Sequence, residues 1–315
     1  MKRLLFLALI GVAAAAAAAE DFAYVRAVPE QADLVVVDAR PQAECQAKSL
    51  PGARCLPAGD FLGPHRRLPG ARDLLWLLGT AGLTGEEDVL VVGGEAQARD
   101  FLAGLLYLAG QRSVSVLSEP LGRLLGESAA PGRGRGMVRE AVFAAPMRDE
   151  LLLMRDELRG ELAASALPLL DGRAEEEYWG ERARAARAGH LPGAISLPAA
   201  RLRSAPDAAA PALPEGPALA YAHDAYEGLA YLTLLRAGHG VVARLYAEGW
   251  AEWAADGALP ADSLAYPEHP LASAVVAASP PQPSAGGPSP ALFGAALLIA
   301  AAAFAGGWLA RPRPA

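Results

Sequence analysis

The sequence predicts an α/β protein in two copies, each a mainly parallel sheet with helices on both faces, followed by one C-terminal transmembrane helix. Three observations carry this. Short apolar runs alternate with helical stretches, the alternation repeats along the chain, and a long uncharged run stands near the C-terminus. With 315 residues there is room for two modest domains.

In the first copy, 34–37 and 88–92 read as buried strands. A helix is expected over 100–109 and a further strand over 114–117. In the second, 167–170, 218–221 and 241–246 read as strands, 147–162 as an amphipathic opening helix and 227–237 as a second helix. The repeat is also visible residue by residue. Asp38-x-Arg40 precedes Leu-Pro-Gly-Ala at 50–53, and Asp171-x-Arg173 precedes the same four residues at 191–194. The second copy carries an insertion, ERARAARA, between the two motifs. A repeat this long marks two domains rather than a solenoid. The tract ESAAPGRGRG (127–136) reads as the start of the linker.

The two ends differ from the middle. Lys2 and Arg3 precede an apolar stretch, and Ala17 and Ala19 precede Glu20, the pattern of a secretory signal peptide over 1–19. Residues 291–310 carry no charge, and at ~1.5 Å per helical residue they suffice to cross a bilayer. Trp308 suits the interface, and Arg311 and Arg313 suit a cytoplasmic tail over 311–315. A Pro/Ser/Gly-rich tether over 266–290 would hold the soluble region outside the cytoplasm. The expected location is the cell membrane, single-pass, with the soluble part periplasmic or extracytoplasmic. The resulting organisation is signal 1–19, first domain 20–126, linker 127–146, second domain 147–265, then tether, anchor and tail.

The net charge of −7 and a pI near 5.4 argue against a general nucleic-acid binder. Of 28 basic residues only Lys2 and Lys48 are lysine, which with abundant Ala, Gly and Pro reads as compositional bias. Two cysteines, Cys45 and Cys55, cannot build a four-cysteine zinc site or a disulfide scaffold.

The second copy resembles the rhodanese family over most of its length. LLDGRAEEEYWGE…GHLPGAISLP (169–198) is similar to the family's N-terminal signature, and RLYAEGWAEWAADGALP (244–260) to its C-terminal one. The first copy matches less well. The resemblance implies tandem sulfurtransferase-fold domains, one of them degenerate. It also implies a six-residue strand-to-helix loop that opens with a cysteine carrying sulfane sulfur, and often closes with an arginine. Inward N–H groups and the helix terminus would stabilise the thiolate there.

That loop in the second copy is Ala222, His223, Asp224, Ala225, Tyr226, Glu227. By spacing to the following helix, the first copy's loop is Gly94, Glu95, Ala96, Gln97, Ala98, Arg99. Ala222 and Gly94 stand where the cysteine is expected, and Glu227 stands where the arginine is. Neither residue offers a nucleophile. Two readings follow. One is a non-catalytic, membrane-anchored binding or scaffold module with a periplasmic or membrane-protein partner. The other is an active thiosulfate or persulfide sulfurtransferase using Cys45, Cys55 or a partner's thiol. No cofactor or metal is expected.

In an exported protein Cys45 and Cys55 can form a disulfide; two buried free thiols are the alternative. His223, Asp224, Tyr226 and Glu227 read as a solvated loop, with a small-ligand or metal site as the alternative. His190 and the Asp38/Arg40 and Asp171/Arg173 pairs read as structural.

Overall fold

The computed structural model describes residues 21–126, 128–164, 167–204 and 213–263. The signal, tether, anchor and tail expected at the two ends lie outside the described residues. Among those described, no helix is long and apolar enough to cross a membrane.

Two sheets form, and every ladder in both is parallel. The first has order β1-β5-β4-β2-β3-β6, from Phe22–Val25 (β1), Val35–Asp38 (β2), Arg54–Cys55 (β3), Asp88–Val92 (β4), Ser113–Leu117 (β5) and Arg133–Gly134 (β6). The second has order β7-β11-β10-β8-β9, from Leu152–Leu153 (β7), Leu169–Asp171 (β8), Ala194–Ser196 (β9), Ala218–Tyr221 (β10) and Ala243–Tyr246 (β11). The helices between them are Gln42–Ala47 (α1), Ala71–Thr80 (α2), Ala96–Leu108 (α3), Arg155–Ala164 (α4), Glu175–Tyr178 (α5), Ala199–Ser204 (α6), Ala225–Thr233 (α7) and Gly249–Ala255 (α8).

The strands are apolar on both sides because both faces are covered. In β4, Val89 and Val91 join one core and Leu90 and Val92 another. In β10, Ala218 and Ala220 face the first of those cores and Leu219 and Tyr221 an outer one. One core is therefore common to both sheets, and each sheet has a separate core on its other face.

The common core is closed by α3 against α7. Thr233 Oγ donates to the Asp100 carbonyl at 2.8 Å. A Cβ added at Gly104 would lie 2.6 Å from the Leu229 carbonyl oxygen and 2.7 Å from Thr233 Oγ. Gly104 and Thr233 occupy equivalent places on the two helices, as do Asp100 and Leu229, so the contact has approximate two-fold symmetry. The missing side chain at Gly104 lets the backbones approach.

Several expectations need correction. The segment 147–162 is not one helix. It is a short 3₁₀ turn (Asp149–Leu151), then β7, then α4, because Leu152 and Leu153 pair with Leu245 and Tyr246 at the sheet edge. The tract 127–136 is not a bare linker, since Arg133 and Gly134 pair with Arg54 and Cys55. Strand β1, lying before the first apolar run singled out above, extends the first sheet beside β5. Helix α7 is shorter than 227–237 suggested and passes into a π-helical turn at Leu234–Gly238.

Candidate functional site

The loop from β10 to α7 is held from two sides. Asp171, fully buried at the end of β8, accepts Arg173 Nη at 2.6 Å and the Tyr221 hydroxyl at 2.5 Å. This fixes the end of β10 beside β8. From below, Trp250 N donates to the Ala222 carbonyl at 2.9 Å and Ala251 N to that of His223 at 2.8 Å. Gly249 has φ +60°, and a Cβ there would lie 2.4 Å from the Ala222 oxygen. The glycine before the tryptophan is thus required by the loop's own backbone.

The first half repeats this arrangement. Asp38 accepts Arg40 Nη at 2.7 Å and Ser49 Oγ at 2.6 Å. Ala39 N donates to Val92 O as Gly172 N does to Tyr221 O, both at 2.9 Å, and Leu121 N donates to Gly93 O as Trp250 N does to Ala222 O. These bonds correct the alignment of the first loop by one residue. Gly93, not Gly94, is the counterpart of Ala222, and Ala98, not Arg99, that of Glu227. Spacing misplaced the loop because α3 begins at Ala96, four residues ahead of the expected start at Asp100. Arg99 is the counterpart of Gly228.

The loop residues divide into separate environments. Ala222, Asp224 and Ala225 are buried, while His223, Tyr226 and Glu227 are half-buried. Gly94 and Glu95 are exposed, Ala96, Gln97 and Ala98 half-buried, and Arg99 buried. A cavity of about 250 Å³ adjoins Ala222 and Glu227 and is also lined by Gln97 of the first loop. Gly94, Ala96 and Arg99 line a different cavity.

Charged side chains at the Ala222 loop pair with one another and with the head of α7. Asp224 caps α7, accepting the Glu227 N–H at 3.0 Å. Arg66 pairs with Asp224 at 3.6 Å and lies over the Tyr226 ring at 5.0 Å. It comes from a turn of the first half in which His65 and Arg66 both have positive φ. Arg184 bridges Glu177 and Glu227, with its shortest contact to each at 2.6 Å. Burial alone would raise the Glu177 carboxyl, but the hydrogen bonds and charge of Arg184 outweigh it and hold the group below its ordinary value. Burial and then the Arg184 charge lower the His223 pKa, so the imidazole is held toward its neutral form. Its Nδ1 is buried without a hydrogen-bond partner among the described residues.

Arg184 and Arg187 were missed as functional-site and structural residues because they fall in the insertion ERARAARA. Arg187 donates to the carbonyls of Trp253, Ala254, Asp256 and Leu259, closing the C-terminal end of α8. The signal was an arginine-rich loop in a chain with acidic residues at both Glu177 and Glu227.

Cys45 on α1 and Cys55 on β3 are joined in a disulfide with Cα atoms 5.8 Å apart. Both are buried, and Gly132 lies against the sulfurs: a Cβ there would come 2.5 Å from one and 2.7 Å from the other. His190 is also buried, stacked on Tyr178 at 3.7 Å with Nδ1 2.8 Å from the Tyr178 carbonyl.

A parallel α/β sheet with a strand-to-helix loop clasped by a buried aspartate defines the class of protein. The rhodanese-like domain model matches residues 154–256. A thiosulfate sulfurtransferase of Azotobacter vinelandii is 30% identical over 262 residues, 74% of this chain and 96% of that protein. The chain therefore belongs to the rhodanese-like sulfurtransferase family. One from Pseudomonas aeruginosa is 28% identical over 246 residues, 70% of this chain and 88% of that protein. The crystal structure of a probable thiosulfate sulfurtransferase superposes with a TM-score of 0.54 at 28% identity, covering 75% of this chain and 99% of that one. Wild-type EanB shares the fold, with a TM-score of 0.61 at 20% identity over 76% of this chain and 66% of that one.

Proposed function

We propose that this protein is a membrane-anchored, extracytoplasmic tandem rhodanese-like protein that has lost sulfur transfer and acts as a binding or scaffold module. The observation that carries this reading is Ala222 at the head of the clasped loop, with both cysteines of the chain buried in a disulfide elsewhere. A methyl group forms no persulfide. The capping by Asp224 and the Glu177–Arg184–Glu227 bridge support it further, because they fill with carboxylates the places where a thiolate or sulfur oxyanion would be stabilised.

The test is thiocyanate formation from thiosulfate and cyanide by the purified full chain, with and without reductant. No turnover and no cyanide-labile sulfur is the expected result. Turnover abolished by Cys45→Ser or Cys55→Ser would overturn it in favour of an unusual sulfurtransferase. The membrane half of the reading is tested separately. Full-length protein should resist alkaline extraction from membranes, and a chain ending at 290 should be released.

A further inference from the structure

A second cavity, of about 380 Å³, lies between the two halves and shares only Arg203 with the one at Ala222. Its polar wall is built around Asp100, which is fully buried. Arg99 donates to one carboxylate oxygen of Asp100 at 2.9 Å, and Arg203 to the other at 3.1 Å. Two guanidinium groups thus meet one carboxylate, which leaves one positive charge uncompensated within the cluster. Arg99 is itself only 7% exposed. The Tyr24 hydroxyl is buried beside Asp100, out of contact with the cavity space, and the rest of that side chain lines the wall. Burial, and then the charge of Asp100 and a hydrogen bond to it, raise that phenol's pKa. The other wall is apolar, formed by Leu202, Leu234 and Pro120.

The contrast with the second half sharpens the case. Asp224 caps α7 with its own carboxylate, whereas Glu95, its counterpart, is exposed and makes no side-chain cap on α3. Ala96, in the first turn of α3, lines the cavity. The positive end of that helix therefore adds to the two guanidinium groups.

We propose that this cavity binds a small organic acid, its carboxylate or sulfonate head against Arg99 and Arg203 and its apolar body against Leu202 and Leu234. A buried cationic cluster beside an apolar wall, in a space at the small end of ligand pockets, fits such an amphiphile better than a bare inorganic ion. The inference is independent of whether the loop at Ala222 transfers sulfur.

The probe is benzoate, with benzamide as its neutral counterpart, titrated calorimetrically into the full chain in lipid nanodiscs. Two variants at one position that lines this cavity and not the other separate charge from bulk: Ala96→Asp places a carboxylate in the first turn of α3, where the helix end favours it, and Ala96→Asn has the same shape without the charge. Saturable binding of benzoate but not benzamide is expected, weakened by more than about tenfold in Ala96→Asp and by less than about threefold in Ala96→Asn. Both variants should melt no lower than the parent. No saturable benzoate binding, equal binding of benzamide, or undiminished binding in Ala96→Asp would overturn the proposal.

Discussion

Substituting Gly104 by alanine tests the central packing claim, because the sign of its effect is at stake. In an exposed helix interior, glycine to alanine stabilises by about 1 kcal/mol, since the unfolded chain loses freedom and the helix gains a better former. At Gly104 the new methyl would lie 2.6 Å from the Leu229 oxygen and 2.7 Å from Thr233 Oγ, both on α7. Neither is the end of a flexible side chain. The two helices must separate by several tenths of an ångström within a core that serves both sheets. Overpacking of this kind costs about 1–3 kcal/mol. The Thr233 bond to the Asp100 carbonyl, at 2.8 Å, would stretch with it at a further cost of about 1 kcal/mol. The expected net change is a destabilisation of roughly 1–3 kcal/mol once the propensity gain is subtracted. Gly160 in α4 is the matched control: a Cβ there meets nothing within 4 Å, so Gly160→Ala should stabilise by about 1 kcal/mol. Urea unfolding followed by tryptophan fluorescence measures both. A Gly104→Ala protein as stable as the parent, or more stable, would refute the close helix approach and the shared core built on it.

Other outcomes follow from the site and the disulfide. Ala222→Cys should give a thiol whose alkylation rate rises only near or above about pH 8.5, the ordinary value, since Asp224 and Glu227 oppose the helix terminus; adding Glu227→Arg should move that profile lower. Cys45→Ser should destabilise by about 2–3 kcal/mol on the loop-closure argument, and reductant should lower the parent's unfolding midpoint but not the variant's. The Glu177 carboxyl is depressed in the folded state, so its contribution is present above the unfolded value of about 4.3 and is lost as pH falls through the lower folded value. Unfolding midpoints measured from pH 6 to 3 should therefore fall less steeply in Glu177→Gln than in the parent.

Much of the site could be read directly from the chain. The Asp171-x-Arg173 pair, the loop beginning at Ala222 and the glycine-tryptophan pair that supports it are close in sequence to the strands that position them. The first loop was displaced by one residue because ladder pairing of Asp38 with Val92, not spacing to a helix, sets where β4 ends. Arg184 could not be assigned for a related reason. Its two partners, Glu177 and Glu227, lie on different elements, and Glu227 is 43 positions away. Strand β6 escaped notice because an Arg-Gly pair has no apolar pattern and becomes a strand only where β3 offers a free edge.

The residue types therefore settled where the chain carries a thiol before any fold was known. A loop that opens with alanine, and a chain with two cysteines outside both loops, rule out a thiol nucleophile in either loop whatever the packing, because a side chain's reactivity is covalent and local. Tertiary structure decided which charges meet. It spent Arg184 on two glutamates and Asp224 on its own helix in one half, and it left two guanidinium groups around a single buried carboxylate in the other. Those balances depend on distances between segments far apart in sequence, and in a low-dielectric interior such distances determine whether a charge is neutralised or remains open to a ligand.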